Sequence, residues 1–163
     1  SLIPTYGAEA TRQADAVTAP EMLTVLAGWP DVTFLLEGTF LTGTAGAIFL
    51  KVSNTDADRV QFGVTGVAGQ GMRTFMSSSA GGFANHIRET LASGDTFKIA
   101  TTVVPDDVAA CLNGGSLATD VSFERIPVNP TAAIVGPGGG YIYERIRIYS
   151  GRLPDAKLIT LTT

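Results

Sequence analysis

The chain has 163 residues, of which 45% are hydrophobic and 16% charged, and it carries a net charge of −4 and one cysteine. This length fits one domain, and the acidic balance without a basic stripe excludes nucleic-acid binding by phosphate neutralisation. No apolar run approaches the roughly 18 residues that a membrane-spanning helix needs. One cysteine excludes an intramolecular disulfide, and we expect Cys111 to be a small apolar residue on a buried strand.

The first half of the chain changes from an irregular start to short β runs. We interpret residues 1–20 as an extended leader that contributes a strand around residues 16–18, and residues 21–26 fit either a helical turn or a short strand. Because the chain begins at Ser1 without a methionine, we expect it to be a piece of a longer protein. Alternating apolar residues then predict strands at residues 32–41, 47–53, 59–67, 72–78 and 83–91, the last of which also fits a helix.

Turn signals divide the second half more clearly. Asn113-Gly114 predicts a type I′ hairpin turn, because both of its residues tolerate positive φ. Strands are predicted at residues 96–104, 108–112, 116–121, 132–135 and 141–149. Pro154 at a first helical position predicts a short helix over residues 154–161. About ten strands at short spacing predict one all-β sandwich over residues 1–163.

Short motifs at both ends of the chain follow a characteristic order. They are Ile3-Pro4-Thr5, Ala10-Thr11-Arg12 and Ala14-Asp15 at the start, then residues 97–102, Asp106-Asp107-Val108-Ala109, Asn113-Gly114-Gly115, Ala118-Thr119-Asp120, Pro127, Ile134-Val135-Gly136, Gly139-Gly140-Tyr141, Ile146-Arg147-Ile148-Tyr149, Arg152-Leu153, Asp155-Ala156 and Leu158. This order resembles the concanavalin A-like (laminin-G-like) jelly-roll domains near the C-termini of bacteriophage and prophage tail and fibre proteins. The chain departs from that family at Tyr143 and Glu144, where such domains often carry small residues.

The resemblance implies a jelly-roll sandwich of two antiparallel sheets with a short C-terminal helix, located in a virion. It transfers no binding residue, because these domains share a scaffold rather than one ligand motif.

Concanavalin A-like folds also include glycoside hydrolases, which need two carboxylates about 5–9.5 Å apart. Glu37 and Glu144 each stand alone on a predicted strand, and Asp106 and Asp107 lie together in a turn. The one histidine, His86, has no nucleophile elbow around it. We therefore expect no enzyme, and a glycoside hydrolase is kept as a second alternative.

One turn carries potential oxygen ligands for calcium. We therefore keep a bound calcium ion as an alternative to the expectation that the protein has no cofactor. Asn54, Asp56 and Asp58 could supply side-chain oxygens, with backbone carbonyls completing the set. The same residues are also typical of a solvated turn, and we favour that interpretation.

Aromatic and arginine side chains are the candidate ligand-binding residues. Strand alternation places Tyr141, Tyr143, Arg145, Arg147 and Tyr149 on one face and Ile142, Ile146 and Ile148 on the core face. Trp29 lies in a connection, where it fits either a sugar platform or a plug at the end of the sandwich. The predicted ligand-binding residues are thus Trp29, Tyr141, Tyr143 and Arg145, although a solvated sheet face would have the same composition.

Two functional hypotheses follow from the resemblance and these side chains. The leading one is a non-catalytic terminal domain of a phage tail or fibre protein that binds a cell-surface glycan or another receptor. The alternative is a structural domain that mediates oligomerisation, with a homotrimer as one form, or attachment to other phage structural proteins. Low charge and a high content of small residues fit burial against a neighbouring subunit.

Overall fold

The computed structural model describes residues 17–18, 20–27, 31–43, 48–55, 58–64, 71–77, 83–121, 130–135 and 139–163. Trp29, Asp56 and most of the predicted leader lie outside the described residues. The elements in chain order are β1 (Val17–Thr18), α1 (Pro20–Ala27), β2 (Val32–Gly43), β3 (Ile48–Ser53), β4 (Arg59–Val64), β5 (Met72–Ser77), β6 (Phe83–Glu89), β7 (Thr96–Val103), β8 (Val108–Leu112), β9 (Ala118–Asp120), β10 (Ala132–Val135), β11 (Gly139–Ser150) and α2 (Asp155–Thr162).

The strands form two antiparallel sheets, as the sequence predicts. One sheet has six strands in the order β1-β10-β3-β4-β5-β6, and the other has five in the order β11-β2-β7-β8-β9. The ambiguous segments are resolved as a helix for α1 and a strand for β6. Positive φ angles of 48° at Asn113 and 68° at Gly114 confirm the left-handed turn between β8 and β9.

The core lies between the sheets and is built by alternate residues of each strand. Phe34 of the five-stranded sheet meets Phe62 of the six-stranded sheet edge to face, with ring centroids 5.5 Å apart. Both side chains are fully buried. Leu26 of α1 joins the same cluster, so this short helix packs its apolar side against the sandwich. Neither helix within the described residues is long and apolar enough to cross a membrane.

One polar contact crosses this core between the two sheets. The hydroxyls of Thr74 on β5 and Thr101 on β7 are 3.1 Å apart, and both residues are fully buried. One hydroxyl donates to the other, so neither buried oxygen is left without a hydrogen bond.

Replacing Thr74 alone with valine is therefore expected to lower the free energy of unfolding by about 1–3 kcal/mol, because the Thr101 hydroxyl loses its partner. The double variant Thr74→Val/Thr101→Val should recover most of that loss, since both hydroxyls are then absent. Denaturant unfolding of the two single variants and the double variant measures this coupling. Losses that simply add would show that the two hydroxyls stabilise the fold independently.

The C-terminal helix α2 packs on the outer face of the five-stranded sheet. Leu158 is fully buried there in a second apolar cluster that includes Leu35 and Cys111. The hydroxyl of Thr162 lies 3.1 Å from the sulfur of Cys111 and accepts a hydrogen bond from the backbone N–H of Gly114 at 3.1 Å. Cys111 is a buried free thiol, which confirms its predicted structural role.

Arg152 links the start of this helix to the sheet through ion pairs. Its guanidinium donates to Asp107 at 2.8 Å, in the turn between β7 and β8, and lies 2.7 Å from Asp155 in the first turn of α2. The hydrogen bond with Asp107 is the main reason that the pKa of Arg152 is raised above its ordinary value. The helix begins at Asp155 with Pro154 as its N-cap, one residue later than predicted.

Candidate functional site

The predicted binding stripe on β11 is divided by a β-bulge. Tyr143 pairs with Gly38 and Arg145 pairs with the adjacent Glu37, so Glu144 is an extra residue without a partner position on β2. The extra residue exchanges the two faces of β11 at that point. The prediction that Tyr141, Tyr143 and Arg145 share one face is therefore wrong.

Side chains on either side of the bulge confirm this exchange. Tyr143 packs against the core together with Ile146 and Ile148, whereas Ile142 is 54% exposed and is not the core residue that unbroken alternation predicts. Arg145 lies on the outer face, where its Nη1 is 3.2 Å from Oε1 of Glu37. The backbone of Tyr141 pairs with that of Phe40 on β2.

The sequence contained a signal for this bulge. Unbroken alternation would put Glu144 in the same row as Ile142 and Ile146, which means a carboxylate facing the core. Burying an unpaired charge is strongly unfavourable, so a charge at a predicted core position indicates a change of register. The bulge also brings the carbonyl of Ile142 over Gly38, where a Cβ atom would lie only 2.3 Å from the oxygen.

A different surface, on the outer side of the six-stranded sheet, carries charged, polar and aromatic side chains of the kind found in binding sites. Leu50, Val60, Phe62 and Met76 face the core, so the alternate residues of these strands face outward. We call this surface the polar sheet face. Its described members are Lys51, Ser53, Arg59, Gln61, Phe75 and Ser77.

The strand register aligns these residues in two rows. Lys51 is opposite Gln61, which is opposite Phe75, and the backbone of Asn85 continues this row on β6. In the next row, Ser53 is opposite Arg59, which is opposite Ser77. Directly opposed residues lie about 4.5–5.5 Å apart at Cβ, so a ligand the size of one or two sugar rings could contact both rows.

Arg59 is held in place on this surface by an aromatic ring. Its guanidinium carbon lies 4.8 Å from the centroid of Phe75, which is a cation–π contact. Both side chains are partly exposed, and Gln61 beside them is 5% exposed. The charged side chain of Arg59 is therefore positioned before any ligand arrives, which reduces the entropy lost on binding, whereas Gln61 is buried beneath it.

The turn between β3 and β4 borders the polar sheet face. The backbone N–H of Asn54 donates to the carbonyl of Asp58, and the N–H of Asp58 donates to Oγ1 of Thr55, each at 3.1 Å. These bonds are those of an ordinary polar turn. Across the part of the chain that the structure describes, no group of three or more histidine, cysteine or acidic residues converges as a metal site. The calcium alternative remains a prediction, because Asp56 lies outside the described residues.

Two carboxylates do converge elsewhere, at Arg152. Asp107 and Asp155 both contact its guanidinium, which occupies the space between them. A glycoside hydrolase requires the sugar linkage to lie between its two carboxyl groups. This arrangement instead holds α2 against the sheet.

Comparison with known proteins finds similar folds among solved structures. No family model and no curated protein matches the sequence. The CBM40 of the Ruminococcus gnavus IT-sialidase, bound to α2,3 sialyllactose, is similar with a TM-score of 0.68 and 16% identity, over 93% of this chain and 97% of that one. Domain 4 of AbnA, a GH43 extracellular arabinanase from Geobacillus stearothermophilus in complex with arabinotriose, gives a TM-score of 0.65 at 15% identity, over 83% of this chain and 68% of that one.

The fold also occurs as part of a larger enzyme. The NanB sialidase from Streptococcus pneumoniae matches with a TM-score of 0.69 at 10% identity, over 91% of this chain but 27% of that one. At these identities the likeness shows the fold alone. The chain is thus a concanavalin A-like jelly-roll sandwich of two antiparallel sheets with a short C-terminal helix.

Proposed function

We propose that this domain binds a glycan, without catalysing a reaction on it, and that the glycan lies on the polar sheet face. The observation that carries this proposal is the cross-strand arrangement of Lys51, Arg59, Gln61 and Phe75, with Arg59 held on the aromatic ring. The cationic side chains of Lys51 and Arg59, which are partly exposed, can donate hydrogen bonds to sugar oxygens. The structural neighbours that carry bound sialyllactose or arabinotriose support the choice of ligand class.

The opposite sheet is less suited to such a ligand. Its outer face is partly covered by α2, and Arg145 there is engaged by Glu37. Tyr143, which the sequence offers as a sugar-contacting residue, packs against the core. The six-stranded sheet is therefore the better candidate.

The biological setting that we propose is the terminal part of a phage tail or fibre protein in the virion. This part of the proposal is supported by the sequence resemblance described above. The ligand would then be a glycan on the host surface, and several copies in one particle would raise a weak single-site affinity through multivalent attachment.

Arginine variants on the two sheets test where the ligand binds. Replacing Arg59 with alanine is expected to weaken glycan binding at least tenfold, or about 1.4 kcal/mol, because the site loses its positioned charged donor. The matched control Arg145→Ala removes an arginine from the other sheet and should leave the affinity unchanged. A glycan array probed with multimerised protein identifies the ligand, and calorimetry with that ligand measures both variants.

Thermal unfolding of both variants distinguishes lost binding from lost folding. The cation–π contact of Arg59 is worth about 0.5–1 kcal/mol at an exposed position, so Arg59→Ala should remain folded. Loss of binding in Arg145→Ala, with Arg59→Ala unaffected, would move the site to the five-stranded sheet and refute this placement.

Assembly into an oligomer is a second candidate role. Two large apolar side chains are exposed on the paired strands β2 and β11 of the five-stranded sheet, Ile142 at 54% and Leu41 at 39%. Contact with another subunit would remove these side chains from water. Light scattering at micromolar concentration should then show an oligomer that Ile142→Ser dissociates, and a monomeric parent protein would rule this role out.

A further inference from the structure

Strand β11 lies at an edge of the five-stranded sheet. Among the strands that the structure describes, it pairs with β2 alone, and an edge strand carries backbone groups that can pair with a further strand. Beyond the bulge, residues 145–150 pair with β2 without any shift of register. This regular stretch has about the length of an ordinary strand, so it is long enough to hold one more strand beside it.

The core-facing side chains of this stretch are incompletely covered. Ile146 and Ile148 contact the core cluster, but they are only partly buried. The residues that pair with them on β2, Leu36 and Phe34, are at most 1% exposed. Burial therefore decreases from β2 to the edge. An added strand with apolar residues beside Ile146 and Ile148 would remove more apolar surface from water.

The outward-facing side chains of the same stretch carry positive charge. Arg145 and Arg147 are both exposed, and Glu37 contacts the first of them at 3.2 Å. Within the described part of the chain, no residue forms a hydrogen bond or an ion pair with Arg147. Glu144 is the acidic neighbour, and it lies at the bulge, outside the regular stretch. An acidic side chain opposite Arg147 would therefore form a favourable cross-strand pair.

The same arginines disfavour pairing of this edge with a second copy of itself. Antiparallel pairing centred on Ile146 would place Arg145 opposite the partner's Arg147. Pairing centred on Arg147 would place two copies of that arginine opposite each other. Like charges that are directly opposite are destabilising, so the edge favours a strand of opposite charge.

We infer that the edge of β11 binds an extended acidic segment of another protein as an added strand, with apolar residues beside Ile146 and Ile148 and an acidic residue opposite Arg147. Main-chain hydrogen bonds and apolar burial supply affinity in this mode of binding, and the alternating side chains supply specificity. The edge belongs to the five-stranded sheet, whereas the polar sheet face belongs to the other sheet. The two binding functions can therefore be tested separately.

Short synthetic peptides test this inference. The probe is a peptide of about seven residues in which valine and glutamate alternate. One control replaces glutamate with lysine, and another scrambles the order of the same residues. We expect the glutamate peptide to bind at least tenfold more tightly than either control, as measured by fluorescence anisotropy, and to shift the amide signals of residues 145–150. Equal binding of the lysine peptide would overturn the inference.

Backbone methylation distinguishes strand addition from simple charge attraction. Successive N–H groups of a strand point to opposite edges, so methyl groups on alternate nitrogens block one edge of the peptide, and the complementary set blocks the other. One set should abolish binding and the other should leave it unchanged. Equal effects of the two sets would show that the peptide does not add as a strand.

Charge reversal in the protein completes the test. Arg147→Glu should transfer the preference to the lysine peptide, because the cross-strand pair then has the opposite polarity. Lys157→Glu is the control, since it makes the same charge change at an exposed position on α2 and should leave the preference unaltered. Light scattering of the protein alone gives the remaining outcome. A dimer whose contacts map to residues 145–150 would assign the edge to a second copy and contradict the inference.

Discussion

Replacing Gly38 with alanine is expected to lower the free energy of unfolding by about 3 kcal/mol or more, at the upper end of overpacking effects. The added Cβ would lie 2.3 Å from the carbonyl oxygen of Ile142 and 3.1 Å from the Phe97 ring. The first contact is with backbone, so no side-chain rotation relieves it. Strands β2 and β11 would have to separate where the bulge joins them. Denaturant unfolding followed by circular dichroism measures the loss.

Gly94→Ala provides a control with a different physical origin. Gly94 has φ of +94°, which strains an alanine, but no atom lies within 4 Å of the added Cβ. The cost there should be limited to about 1–2 kcal/mol of backbone strain. A Gly38→Ala variant as stable as Gly94→Ala, or more stable, would mean that β11 does not approach β2 as closely as the bulge requires.

Replacing Phe62 with alanine is the second change with a large expected effect. A fully buried phenylalanine leaves a cavity when truncated, and the typical cost is about 3–5 kcal/mol. The edge-to-face contact with Phe34 adds to this cost beyond the area that is buried. A domain with about 5–15 kcal/mol of total stability would lose a large part of it. The shift of the denaturation midpoint measures this effect.

Phe75→Ala is the matched control on the opposite side of the same sheet. Phe75 is partly exposed and covered by Arg59, so its truncation should cost far less than that of Phe62. Equal losses for the two variants would contradict the assignment of inner and outer faces to the six-stranded sheet. The comparison therefore also tests the surface on which the proposed function depends.

Strand positions were largely predictable because local signals fix them. β8 and β10 have the predicted bounds, and the Asn113-Gly114 turn has the predicted left-handed angles. The sequence of residues 21–26 fits either a helix or a strand, since six residues with few polar positions carry no clear period. The structure places a helix there, because its apolar residues can reach the core.

The candidate site was much less predictable, because it depends on register between strands. Lys51, Gln61 and Phe75 lie on three different strands. They become neighbours only when these strands pair, and the sequence of one strand alone does not specify that register. The predicted stripe on β11 instead relies on residues of a single strand. Side chains of a strand alternate between its two faces only until an extra residue, such as a bulge, interrupts the pattern. The structure places the bulge at Glu144, one of the two residues at which the chain departs from the family it resembles.

Mapping a bound glycan onto the backbone tests the central claim most directly. Amide chemical shifts of the protein, titrated with sialyllactose, should change at Lys51, Arg59, Gln61 and Phe75 on β3, β4 and β5 of the six-stranded sheet. Amides around Glu37 and Arg145 on the five-stranded sheet should stay unchanged. Shifts confined to β2 and β11, with the polar sheet face unaffected, would contradict the account.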